Sequence, residues 1–193
     1  MCEIERRNEM SVYVHLATGF EELEALSPVD VLRRGGVDVK TVSVTGERTV
    51  VGSHGIPVAA DLMFDEADYD ACDIIVLPGG MPGAANLGAH EGLCEKILEF
   101  HKKGKWNAAI CAAPMVFAQL GLFEGLEVTI YPGMEDKLNG AKVSPSAYLT
   151  VNYEHKIITA KGPGYALHFA LELLELMKDK ETAEAVKQGM LIR

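Results

Sequence analysis

Residues 106–114 read Trp-Asn-Ala-Ala-Ile-Cys-Ala-Ala-Pro. Trp106 to Ile110 is a short buried strand, and the chain turns at Cys111 straight into a helix from Pro114 to about Leu120. The small residues around Cys111 permit a tight turn. Pro114 suits a first helical turn because its missing N–H would be unpaired there anyway. A strand that ends on a nucleophile and turns at once into a helix has the layout of a nucleophile elbow, although the G-x-S-x-G signature is absent.

Moving outward, Asp73 to Leu77 is a near-continuous apolar strand followed by Pro78-Gly79-Gly80. Ser11 to Ala17 reads as a first buried strand ending at Thr18-Gly19. Glu21 to Arg34 carries Leu23, Leu26, Val29 and Leu32 at helical spacing, and Gly35-Gly36 stops it. Val37 to Val44 is a second strand, Thr45 to Arg48 a turn, and the stretch to Pro57 has room for a short hairpin. His90 to His101 is helical. Glu127 to Tyr131 and Val143 to Ala160 read as further strands joined by polar turns. Ala166 to Lys178 is an amphipathic helix, and Thr182 to Gln188 a last one. Strand and helix alternating in this way imply a mostly parallel sheet covered on both faces. The expectation is one α/β domain over residues 11–193 with a doubly wound sheet, after a flexible N-terminal tail over residues 1–10.

Composition narrows the partners. The chain has 193 residues, 18 basic against 28 acidic, for a formal charge of −10. A nucleic-acid binder needs a basic stripe to displace counterions from phosphates, and the longest basic cluster is His101-Lys102-Lys103-Gly104-Lys105. With no run of about 18 apolar residues, no membrane span is expected. Cys2, Cys72, Cys94 and Cys111 form no C-x-x-C pair and no zinc-ligand spacing. A reducing, cytoplasmic setting fits. No metal or cofactor is expected, and cysteine chemistry would rest on one thiol.

In open α/β sheets, sites form beyond the carboxyl ends of the strands. That rule selects the loops Thr18–Glu24, Pro78–Gly83 and Ile110–Pro114. At the elbow, backbone amides at the start of a helix are expected to lower the Cys111 thiol from ~8.5 into the range of roughly 3.5–7.5; the plain alternative is one more buried small residue. Gly79 and Gly80 let amides approach a ligand closely and could form an oxyanion hole, or be an ordinary glycine turn. Glu24, beside Leu23, Ala25 and Leu26, is a candidate for a carboxyl that keeps its proton and donates to a thiolate. Acids at a helix start otherwise simply complement its dipole. Among the histidines, His15 reads as a core residue and His90, His101 and His155 as solvated. His168, which opens the closing helix, could approach a pocket or a dimer partner.

At these residues the chain resembles the DJ-1/ThiJ/PfpI superfamily, most closely its DJ-1-like and bacterial ThiJ-like branch. The stretches that carry the resemblance are Gly19-Phe-Glu-Glu-Leu-Glu-Ala-Leu26, Pro28-Val-Asp30, Arg33-Arg34, Val76-Leu-Pro-Gly-Gly80, Ala109-Ile-Cys-Ala-Ala-Pro114, Lys137-Leu-Asn-Gly140 and Lys161-Gly-Pro-Gly164. They occur in family order over essentially Ser11 to Arg193. The resemblance implies a flavodoxin-like, class I glutamine amidotransferase-like sandwich that forms homodimers. It implies that Cys111 is the reactive, oxidation-prone cysteine and Glu24 the protonated acid bonded to it. Gly79, Gly80 and Ala112 match positions whose amides face the site, and Gly162, Pro163 and Gly164 match a loop lining the pocket.

Two positions depart from the family pattern. Tyr131 stands where DJ-1 places a histidine near the cysteine, and His54 aligns with an arginine that approaches the site. Ala112 replaces the histidine that follows the cysteine in the protease-like branch, which argues against peptidase activity. The implied function is cofactor-independent glyoxalase III or deglycase chemistry on methylglyoxal, glyoxal or their early adducts. The alternative is a non-enzymatic oxidative-stress sensor or chaperone acting through oxidation of Cys111.

Overall fold

The computed structural model describes residues 10–193; the expected tail over residues 1–10 lies, but for Met10, outside the described residues. Seven strands form one sheet: β1 (Ser11–Leu16), β2 (Asp38–Ser43), β5 (Leu62–Met63), β6 (Ile74–Leu77), β7 (Trp106–Ile110), β10 (Leu149–Asn152) and β11 (Ile157–Ala160). Their order is β10-β11-β7-β6-β1-β2-β5, parallel throughout except for the antiparallel β10–β11 edge. A hairpin of β3 (Thr49–Val51) and β4 (Pro57–Ala59), and a small parallel pair of β8 (Glu127–Val128) and β9 (Lys142–Val143), stand apart from it.

The helices are α1 (Glu22–Arg34), α2 (Gly83–Ala89), α3 (Glu91–Lys102), α4 (Pro114–Gln119), α5 (Ala166–Met177) and α6 (Lys180–Gly189). The central strands β1 and β6 are buried at every position, as befits parallel strands covered on both faces. α5 packs along α1 and buries Phe169, Ala170, Leu173 and Leu174. The order of strands reverses at β1, with β2 on one side and β6 on the other, both parallel to it. In open α/β sheets such a switch marks where sites form, here beyond the carboxyl ends of β1 and β6.

The sequence reading needs correction in places. The expected strand Glu127–Tyr131 pairs only at Glu127–Val128, because the backbone N–H of Tyr131 leaves the strand to bond the carbonyl of Cys111 at 2.9 Å. α2 went unrecognised: two glycines in its seven residues carry a weak helical signal, and its closure rests on the amides of Ala84 and Asn86 reaching Gly80 and Pro82.

Candidate active site

Cys111 sits on the turn between β7 and α4 with φ +65°, the left-handed region that a non-glycine residue occupies at a cost of about 1–2 kcal/mol. Long-range hydrogen bonds hold it there. Its N–H donates to Ala160 at the end of β11 (2.8 Å), and its carbonyl accepts from Tyr131 (2.9 Å). Ala113 N–H donates back to Ile110 (3.1 Å), which closes the turn before Pro114 begins α4. The sulfur is tucked in, with only 8% of the residue exposed.

Glu24 reaches the same point from the first turn of α1. Glu21 caps that helix by accepting the Glu24 N–H on its side chain at 2.8 Å. The Glu24 side chain is fully buried. Its Oε2 accepts the Gly79 N–H at 2.9 Å, Oε1 has no hydrogen-bond partner, and the carboxyl approaches the Cys111 side chain across Gly79. Burial pushes Glu24 up to about 7, and the charge of Glu21 adds to the rise; the thiol and the Gly79 amide pull against it.

Gly79 lets the acid and the thiol meet. A Cβ there would lie 2.7 Å from the Cys111 Cβ, 2.7 Å from Glu24 Oε2 and 2.9 Å from the Ala112 nitrogen. Gly80 follows at φ +82°, and its amide, like that of Ala112, turns toward the sulfur. The Gly79 N–H is spent on Glu24, so the amides left to face an oxyanion are those of Gly80 and Ala112. This corrects the expected Gly79–Gly80 pair.

The thiol itself also departs from expectation. Burial, then the negative charge of Glu24, push Cys111 up to about 12, while the Gly80 and Ala112 amides pull it down. α4 has only six residues, too short for its dipole to outweigh burial beside a carboxylate. The two groups titrate as a coupled pair, in which the charge of either one opposes ionisation of the other.

Of the remaining expected residues, Tyr131 is tied to Cys111 through its backbone and Gly162 lies against the Tyr131 ring, while His54 is bonded to Glu22. Tyr131 is half exposed, and its ring lies against Gly162, where an added Cβ would come 3.2 Å from the ring. Gly162 is buried, and Pro163 opens a short 3-10 turn, Pro163–Tyr165, with Gly164 exposed. His54 is on the β3–β4 hairpin tip and bonds Glu22: its N–H donates to Oε1 (2.8 Å) and its Nδ1 lies 2.7 Å from Oε2. Glu22 holds its own carboxyl down at about 2 through those bonds against burial and raises His54 in turn. Ser53 N–H donates to Phe20 and Gly19 N–H to Val51, so the hairpin is laced to the loop before α1. Glu21, Glu22 and His54 bring possible metal-ligand atoms within 4.8 Å of one another, but the Glu22 oxygens are already engaged by His54 and Ser53.

His15 is in the core, its Nε2 2.8 Å from the Tyr69 hydroxyl. His90 is not a solvated histidine: its Nδ1 accepts the Leu93 N–H at 3.0 Å and caps α3, and its ring packs on Phe64. His101 and His155, also expected in solvent, are half-buried and stack on each other at 6.2 Å. His168 meets Tyr148 in a cleft beside α5.

Known proteins are similar to this chain over most of its length. The DJ-1/PfpI family model matches residues 10–176. Protein DJ-1 homolog A of Arabidopsis thaliana is 36% identical over 184 residues, covering 95% of this chain and 47% of that protein; this chain spans about half the length of the two Arabidopsis relatives it matches. The crystal structure of Drosophila melanogaster DJ-1beta superposes with a TM-score of 0.91 at 32% identity, covering 96% of this chain and 99% of that one. Oxidized Toxoplasma gondii DJ-1 does so with a TM-score of 0.88 at 34% identity, covering 94% and 98%. A flavodoxin-like sheet with a strained cysteine elbow, matched by the family model over most of its length, makes this chain a member of the DJ-1/PfpI family.

Proposed function

We propose that the protein is a cofactor-independent glyoxalase III or deglycase-type enzyme acting on methylglyoxal, glyoxal or their early adducts. The observation that supports this is the buried Glu24 carboxyl with one oxygen unpartnered, set against the Cys111 thiol beside two free amides. The thiol adds to the aldehyde carbon as its proton passes to the Glu24 carboxylate and on to the former carbonyl oxygen, giving a hemithioacetal. Glu24 then removes the proton on that carbon and returns it to the neighbouring ketone carbon, while the hydroxyl proton of the hemithioacetal passes to the ketone oxygen. The aldehyde carbon is thereby oxidised to a thioester and the ketone carbon reduced to an alcohol. Water cleaves the thioester, releasing lactate and restoring the thiol, while the Gly80 and Ala112 amides receive the oxyanion. Incubation with methylglyoxal should yield lactate from the native enzyme and background amounts from Cys111→Ala and Glu24→Gln; equal lactate from all three overturns the reading.

The second reading is an oxidative-stress sensor or chaperone, favoured by the oxidized state in which the similar Toxoplasma DJ-1 was solved. Two equivalents of peroxide would take the thiol to sulfinate with release of two waters, and the same amides and acid would hold its oxygens. Mass spectrometry after graded peroxide should show Cys111 gaining two oxygens ahead of Cys72 and Cys94; simultaneous oxidation of all three counts against it.

Both readings extend to a homodimer in a reducing, cytoplasm-like compartment. Support comes from Leu23 and Leu26 exposed on α1 beside Val51 and Ile56 on the hairpin laced to it, and from free thiols at Cys72, Cys94 and Cys111. Light scattering on the purified chain should give twice the monomer mass; a monomer removes this part. Among the described residues, no helix is long and apolar enough to cross a membrane.

A further inference from the structure

A cleft that Cys111 does not line opens between α5, α6 and the loop that enters β10. It encloses about 490 Å³, within the size range of small-molecule sites. Two helical stripes face it. His168, Leu171, Glu172 and Glu175 descend α5 at steps of three, one and three; Lys180, Ala183, Glu184 and Lys187 follow the same rhythm on α6. Leu149, Leu171 and Ala183 make its apolar part.

Carboxylates and ammonium groups share this cleft without pairing. Among the described residues, Glu172, Glu175, Lys180 and Lys187 take part in none of the ion pairs, and Glu184 is engaged only by Gln188 on its own helix. Glu172 is half-buried, and its carboxyl is raised by burial and by neighbouring Glu175, so it lacks a cation. At the upper end His168 packs edge-on against Tyr148 (5.8 Å, 66°), which stacks on Tyr165 (5.1 Å, 11°). The Nδ1 of His168 is buried with no hydrogen-bond partner. Glu175, Lys180 and Glu184 are exposed and Glu172 and Lys187 half-buried, so carboxylates on α5 and ammonium groups on α6 flank an apolar floor, a lining that suits a ligand carrying both signs on an apolar body.

We propose that this cleft binds a small peptide-like zwitterion, of dipeptide kind, with its ammonium end toward Glu172 and Glu175 and its carboxylate end toward Lys180 and Lys187. An apolar side chain of the ligand lies on Leu149 and Leu171, and a polar group meets His168. The site is independent of the Cys111 chemistry.

Titration calorimetry of the full chain with leucyl-phenylalanine tests this, alongside NMR of the His168 ring. Saturable binding that shifts the His168 signals is expected. N-acetylating the dipeptide, amidating its carboxyl, the double variant Glu172→Gln/Glu175→Gln and the double variant Lys180→Gln/Lys187→Gln should each weaken it by about tenfold or more, with folding checked by circular dichroism. Cys111→Ala should bind as the native chain does. The proposal is overturned by no saturable binding at millimolar dipeptide, by capped dipeptides binding as tightly as the free one, or by shifts confined to the surroundings of Cys111.

Discussion

Glu24 Oε2 accepts the backbone N–H of Gly79 at 2.9 Å, tying the first turn of α1 to the loop that follows β6. The bond leaves Oε1 with unmet capacity, in a place water does not reach, while Oε2 and the Cys111 side chain meet across Gly79. Glu24 thereby becomes the group whose charge decides when Cys111 reacts.

The pH dependence of turnover should show this directly. Below about 7 Glu24 keeps its proton and cannot take one from sulfur; above it the carboxylate is available. kcat/KM for methylglyoxal should therefore rise through a pH near 7. In Glu24→Gln that step should vanish, with a loss of roughly 10²-fold or more. An unchanged inflection in the variant would assign it to another group.

The same carboxyl should cost stability at neutral pH. An acid that ionises near 7 when folded, against its usual 4.5, holds its proton better in the native state. As pH rises from 4.5 to 7 the unfolded chain ionises first, so stability falls, by roughly 3 kcal/mol, and levels off above 7. Denaturant melts at pH 5 and pH 8 should show this drop in the native chain and little of it in Glu24→Gln.

Gly79→Ala should harm both fold and site. The new methyl group would press on the Cys111 Cβ, Glu24 Oε2 and the Ala112 nitrogen, two of them backbone-bound or on a one-atom stem. A loss of about 1–3 kcal/mol is expected, with slower alkylation of Cys111 by iodoacetamide. Native-like melting and alkylation would show that the loop yields freely.

Cys111→Gly should be more stable than Cys111→Ala. At φ +65° alanine keeps the steric cost of the left-handed backbone and glycine removes it, a difference of about 1 kcal/mol. Paired thermal melts measure it, and an alanine variant at least as stable as the glycine one contradicts the strain.

Acid should weaken the core through His15. Burial lowers its pKa to about 3 from 6.5, so as pH falls through that interval the unfolded chain takes up a proton that the folded one refuses. Stability should fall from pH 6.5 toward 3, by roughly 4 kcal/mol in all. In His15→Phe the slope should flatten; an equal slope would place the acid sensitivity elsewhere.

Strand Trp106–Ile110, the elbow and the Gly79-Gly80 turn were legible in the sequence because each depends on local pattern and backbone permissiveness. Whether the Gly79 amide serves Glu24 or a ligand depends on where α1 begins relative to β6, a tertiary matter. The direction of the thiol shift was likewise hidden: a helix start is visible in Pro114, but the burial that outweighs it is a product of tertiary packing and the carboxylate comes from α1. The His54 tie to Glu22 crosses 32 positions of chain and leaves no local trace.

The amide of Cys111 is committed to Ala160 and its carbonyl to Tyr131. Exchange of that amide with deuterated water accordingly requires parting the β7–β11 seam, so it should be among the slowest in the molecule. An electrophile or oxidant must meet the sulfur in the intact native form, where Cys111 is only 8% exposed, so the small size of that opening limits which molecules arrive.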